Sequence, residues 1–113
     1  MLPTKSRVRK ESFGKIMKEG VFVHSPNFYL RLVDRKDKLP SFFSFVVPNK
    51  IKKTSVGRHL IKRRMSAVVE KLLITLKPGF LVIFFAKKDV SAFPFDDTEK
   101  EIIELLKKAK ILG

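Results

Sequence analysis

The chain has 113 residues, enough for one domain with a modest core, and 44% of them are hydrophobic. Lys and Arg total 25 against 11 Asp and Glu, a formal net charge of +14, which points to a polyanionic partner: RNA, DNA or an anionic membrane. The lack of cysteine excludes disulfides, thiolate metal sites and a cysteine nucleophile, and with no signal-peptide core and no apolar run longer than Phe80 to Ala86, a cytoplasmic protein with no membrane partner is expected.

Taken in order, residues 1–9 are expected to be a loose basic arm, with Arg7, Arg9 and Lys10 leading into a short helix through Lys18 that Gly20 can end. Phe13 and Met17 stand four apart with Ile16 beside them, so these three define the side that faces either the core or a ligand. Val21 to His24 and Phe28 to Asp34 read as strands joined at Ser25-Pro26-Asn27. Alternation sets Phe28, Leu30 and Leu32 on one face and Tyr29, Arg31 and Val33 on the other. Phe42 to Val47 is apolar on both faces apart from Ser44, which argues for a central strand.

Pro48 and Asn49 break that run and open the most charged part of the chain. Lys50, Lys52, Lys53, Arg58, Lys62, Arg63 and Arg64 follow with no acid before Glu70. Thr54 or Ser55 can cap a helix in which Ile61, Met65, Val68, Leu72 and Leu76 share one side. At ~100° per residue, Arg58, His59, Lys62 and Arg63 spread over an adjoining arc of about 140°. A solvated face normally mixes signs; like charges this close repel in the free protein, which a polyanion would relieve.

A Lys77-Pro78-Gly79 turn leads to Phe80 to Ala86, seven residues with no polar member, which reads as a second central strand. A strand, a long helix and a returning strand suggest a parallel pair with a crossover, with Lys87 and Lys88 at the carboxyl end. A last helix is expected from Asp96 as cap, with Glu99 closing a capping box and Ile102, Leu105, Leu106, Ala109 and Leu112 as its packing face. Residues 1–88 carry 21 basic and 5 acidic side chains, net +16, whereas residues 89–113 carry 4 and 6, net −2. The final helix is therefore expected to face away from the polyanion.

Arg58-His59-Leu60-Ile61-Lys62-Arg63 resembles the Arg-Asn-x-x-Lys-Arg signature of the bacterial ribonuclease P protein subunit, and Lys50 with Lys53-Thr54-Ser55-Val56 resembles that family's Lys-rich lead-in. His59 stands where the family usually has Asn, and Pro48-Asn49-Lys50 replaces a commoner Ser-Lys-Lys; His can also donate to a phosphate or 2′-hydroxyl. The order of elements is similar over nearly the whole chain. The resemblance implies an α+β fold, a single RNA-binding domain over residues 1–113. Its mixed four-stranded sheet with helices in the order α-β-β-β-α-β-α would be like the second domain of ribosomal protein S5, with a left-handed β-α-β crossover.

It further implies that Arg58, His59, Lys62 and Arg63 contact the catalytic ribonuclease P RNA. Phe13, Met17, Arg31, Lys50, Lys53, Lys87 and Lys88 would hold the 5′ leader of precursor tRNA. Met17 and Arg31 stand where many or some members have an aromatic. The chemistry, endonucleolytic removal of the leader, would belong to the RNA and its Mg²⁺ ions, with no protein partner implied. The residues themselves carry no catalytic constellation: His24 and His59 are far apart in sequence without a nearby carboxylate partner, there is no Gly-rich phosphate loop, and a helix terminus accounts for Asp96, Asp97, Glu99 and Glu101. Two alternatives stay open, a basic RNA-binding protein of the ribosomal kind and a DNA-binding regulator using the Arg58 helix. The second has less support, because a lysine-rich turn and sheet aromatics suit irregular or single-stranded RNA better.

Overall fold

The alternation of residues 28–34 sorts their side chains onto two faces, and the computed structural model, which describes residues 10–112, builds its sheet on that division. The elements are α1 (Lys10–Glu19), β1 (Val21–His24), β2 (Phe28–Asp34), β3 (Phe42–Val46), α2 (Ser55–Leu72), a 3-10 turn (Leu73–Thr75), β4 (Phe80–Ala86) and α3 (Phe95–Lys108). The expected arm at residues 1–9 lies outside the described residues. Antiparallel β1–β2 and β2–β4 pairs and a parallel β3–β4 pair form one mixed sheet in the order β1-β2-β4-β3.

On one face Phe28, Leu30, Phe43, Val82 and Phe84 are buried with Ile61, Met65, Val68 and Val69 of α2 and Ile102, Leu105 and Leu106 of α3. At about 1.5–3 kcal/mol for each fully buried side chain, this layer contributes most of the apolar stabilisation. The other face buries Leu81, Ile83 and Phe85 with α1, whose Ile16 is 0% exposed. Ile61, Met65 and Val68 of the expected α2 stripe are buried and Leu72 half-buried, but α2 ends at Leu72; Leu76 is buried in extended backbone after the 3-10 turn, bridged to Leu112, which likewise lies beyond its expected helix. Thr54 is the N-cap, its hydroxyl accepting from Gly57 N at 3.2 Å.

Two further expectations are corrected. β3 is an edge strand, not a central one. Its two-faced apolarity arises because Phe43 and Phe45 join the core beneath α2 and α3 while Phe42 and Val46 pack in the cluster on the α1 side; layers, not strand neighbours, cover it. β4 is central, as expected. The second correction is at α3, whose N-cap is Pro94 with no side-chain cap; Asp96 and Asp97 lie within the first turn, and the capping box does not form. Instead Glu99 accepts from Lys71 Nζ at 2.7 Å. The loop before α3 is drawn to α2 by Arg64, whose Nη1 donates to Ser91 O at 2.8 Å and Phe93 O at 3.1 Å. Before β4, Gly79 takes a φ of +90° beside Asp37 O, a conformation and a closeness that a Cβ would not tolerate.

Candidate nucleic-acid interface

Because β3 and β4 run parallel, the residues that follow them emerge at one end of the sheet, and the β1–β2 turn joins them there through the Phe28↔Ala86 pairing. The Pro48–Thr54 turn is folded tightly, with Ile51 N donating to Pro48 O at 3.0 Å. Arg58 secures it from α2: its Nη1 donates to Lys52 O at 2.9 Å and to Lys53 O at 2.7 Å. Lys52 lies across Gly57, where an added Cβ would strike the Lys52 side chain, and reaches Asp89 at 3.0 Å. Asp89 also accepts from Ser91 Oγ at 2.6 Å and Ser91 N at 3.0 Å. Those Ser91 bonds first, and the Lys52 ammonium after them, hold the Asp89 carboxyl down at about 2 against an ordinary 3.8. Thus the two loops at the carboxyl end are tied to each other and to α2.

The cations assigned from sequence fall into two groups. Arg58, His59, Lys62 and Arg63 stand on the first turns of α2, with His59 and Arg63 exposed and Arg58 and Lys62 half-buried. The first turn of α2 has no acidic residue, so these positive charges crowd the end where the helix dipole is already positive. Lys50, Lys53 and Lys88 are exposed in the adjoining loops. Among the described residues the ion pairs are Arg35–Asp37, Lys52–Asp89 and Lys71–Glu99, so none of these seven is neutralised by a carboxylate. Lys87 is half-buried, its Nζ donating to Ser25 O at 2.8 Å, which sets an ammonium on the β1–β2 turn. Glu101 fixes the same turn from α3, accepting from Asn27 N at 2.7 Å, Asn27 Nδ2 at 2.8 Å and the Ser25 hydroxyl.

The second arrangement is on the α1 side of the sheet. Phe13 is half-buried against the cluster of Ile16, Leu81, Ile83 and Phe85, so Ile16, not Phe13, is the core residue of α1. Met17 is 41% exposed, and its carbonyl accepts from Arg31 Nη1 at 3.1 Å. Strand register lines up Phe22, Arg31, Ile83 and Ser44 in one row and His24, Tyr29, Phe85 and Val46 in the next. Tyr29 stacks on Phe85 with centroids 4.6 Å apart and planes at 7°, Phe22 lies 4.9 Å from Tyr29, and His24 lies 5.3 Å from Phe22. Arg31 sits 5.4 Å over the Phe22 ring, and its Nε is buried with no hydrogen-bond partner among the described residues.

The structure therefore brings Phe13, Met17 and Arg31 to one sheet face, with Lys87 at its end, and sets Lys50, Lys53 and Lys88 in the loops at that end. The α2 group belongs to the opposite layer. Sequence reading missed Phe22, Tyr29 and Phe85. The signal was partly present, since alternation sets Tyr29 beside Arg31 on one face, but Phe22 joins them only through the β1–β2 register. Among the described residues no three His, Cys, Asp or Glu side chains converge as a metal cage. No helix among them is long and apolar enough to cross a membrane.

A family model described as Ribonuclease P matches residues 2–110. A ribonuclease P protein component from Rippkaea orientalis is 27% identical over 116 residues, covering 98% of this chain and 91% of that one. One from Helicobacter acinonychis is 30% identical over 120 residues, covering 92% and 77%. A Synechococcus component is 28% identical over 74 residues, and the match spans 56% of its length. Among solved structures, the Staphylococcus aureus RNase P protein superposes with a TM-score of 0.85 at 19% identity, covering 96% of this chain and 98% of that one. The Thermotoga maritima RNase P protein gives 0.80 at 21%, covering 90% and 96%. These structural likenesses speak for the fold.

Proposed function

Because the chain belongs to the ribonuclease P protein family, we propose that it is the accessory subunit of that ribonucleoprotein and divides its surface between two RNAs. Arg58, His59, Lys62 and Arg63 on α2 contact the catalytic RNA by neutralising phosphates and donating hydrogen bonds. Phe13, Met17, Arg31, Lys50, Lys53, Lys87 and Lys88 hold the single-stranded 5′ leader of precursor tRNA, the first three by stacking and apolar contact and the lysines by charge. Arg31 offers a guanidinium plane where a ring would otherwise stack.

The observation that carries this reading is the adjacency of the apolar α1 face to the lysines of the end loops. The apolar cluster on the α1 face, with Phe13 half-buried and Met17 exposed beside it, reaches the end of the sheet where Lys50, Lys53 and Lys88 stand exposed, so an RNA strand laid along that face would meet positive charge as it leaves it. Hydrolysis is assigned to the RNA and its Mg²⁺ ions, at a cytoplasmic location. The donor chemistry of the chain supports that division in part: of the five acidic residues of α3, Glu99 is paired with Lys71 and Glu101 with the β1–β2 turn. When bound, Mg²⁺ supplies an activated water and stabilises the leaving oxygen. The protein's residues bind and position the strand.

The test is the leader-dependent part of affinity. The reconstituted complex is expected to bind precursor tRNA more tightly than tRNA lacking a leader. Phe13→Ala is expected to remove about 1–3 kcal/mol of that preference while leaving affinity for the catalytic RNA unchanged. A preference that survives Phe13→Ala intact, or a variant whose main defect is a large fall in melting temperature, would contradict the assignment of Phe13 to the leader.

A further inference from the structure

The aromatic row on the α1 face does not stop at the cluster around Ile16. From Phe85 it passes through Tyr29 to Phe22 and His24 on β1, the edge strand opposite β3. Phe22 is 47% exposed and His24 is exposed, so the row ends in open rings. A single exposed Phe needs no explanation, but rings in continuous contact, aligned by register and leading out of a buried apolar cluster, form a patch with a direction.

We propose that Phe22, with His24 and Tyr29 beside it, is a stacking platform for a nucleobase of single-stranded RNA that has passed beyond Phe13 and Met17. The proposal rests on the reading of the α1 face as the leader site and extends that site to the β1 edge. The chemistry favours a nucleobase for two reasons. Every base has a π-face, which an exposed ring can stack upon without regard to sequence. The platform also stands between two cations: the Arg31 guanidinium lies over Phe22, and the Lys87 ammonium is held at Ser25, directly after His24. Among the described residues neither cation has a carboxylate partner, so the phosphates on either side of a stacked base would meet positive charge. A second copy of the chain fits less well. Each copy carries +14, and β1 is a strand of only four residues, a short edge for pairing with another sheet.

The experiment uses the reconstituted ribonucleoprotein and precursor tRNAs whose leaders lengthen one nucleotide at a time, with 2-aminopurine at successive leader positions. Phe22→Ala is expected to weaken binding of long-leader precursors roughly five- to a hundredfold and to leave the shortest leaders unaffected. Phe22→Tyr is expected to restore both affinity and quenching of the distal 2-aminopurine. Phe22→Leu, which keeps apolar bulk but has no π-face and guards against a folding defect in the Ala variant, is expected to restore neither. Phe13→Ala run in parallel separates the two claims: a Phe13 effect without a Phe22 effect overturns the platform alone, and the absence of both overturns the leader site itself. Leu serving as well as Tyr would overturn stacking. A concentration-dependent dimer in sedimentation that Phe22→Ala abolishes, with leader binding unchanged, would give the row to a second copy and overturn the proposal.

Discussion

Several side chains at this interface hold the protein's own backbone as well as facing solvent. Arg58 donates to the carbonyls of Lys52 and Lys53, and Lys87 to that of Ser25, so each spends a donor on shaping a loop that carries other cations. Asp89 is the acidic counterpart. With its carboxyl held at about 2, it is ionised at every pH above its ordinary 3.8, and the stabilisation it gives the loop is complete there. That stabilisation is lost as pH falls from 3.8 through about 2, the direction for a group whose folded value is depressed. A carboxylate NMR titration is expected to show a midpoint near 2 in the wild type, rising toward 3.8 in both Ser91→Ala and Lys52→Ala, since each removes a group that favours the carboxylate. No rise in Ser91→Ala would mean that the loop is not organised as described. The individual cations were legible in sequence because charge is local. Their hydrogen bonds were not, because Arg58 meets the turn only after both have folded.

At the scale of elements, α2 is the clearest case of agreement, since cap, apolar stripe and cationic arc all follow from residue spacing along one segment. β3 and α3 show why other elements were misread. Apolarity on two faces reports that both faces are covered, which is equally true of an edge strand between helical layers. The start of α3 depends on the loop that Arg64 fastens to α2, a contact between residues 27 and 29 positions apart that no local pattern encodes. Because α2 carries its cations on a face separate from its buried stripe, their removal is expected to change binding without unfolding the helix. Lys62→Ala and Arg63→Ala are each expected to lower the slope of log K against log salt, for the catalytic RNA, by about 0.7–0.9. Arg58→Ala is expected to do the same and also to weaken leader binding, because it releases the turn that presents Lys50 and Lys53. Unchanged slopes in folded Lys62 and Arg63 variants would reduce this face to ordinary solvated charge.

For the whole molecule, the separation of charge along the chain becomes a separation in space. The acidic final segment forms α3, which packs on α2 and on β1 and β2 from the side opposite α1. The sandwich thus sets the α2 cations and the apolar, aromatic α1 face on opposite layers of one sheet, with Lys50, Lys53 and Lys88 in the loops at the carboxyl end of β3 and β4. That fold was legible from the order of the elements and their resemblance to a family. The aromatic row was not, because it exists only once three strands are in register. The central claim is that the protein binds and positions RNA while the RNA performs the cleavage. It is tested most directly by following removal of the 5′ leader from precursor tRNA across a series of Mg²⁺ concentrations, with protein alone, catalytic RNA alone, and both together. Rigorously RNA-free protein is expected to leave the precursor intact. Its addition to the RNA should shift cleavage to lower Mg²⁺, since its positive charge offsets phosphate repulsion that metal ions otherwise screen. Cleavage at the mature 5′ end by the protein alone, or an Mg²⁺ requirement that the protein does not change, would contradict the account.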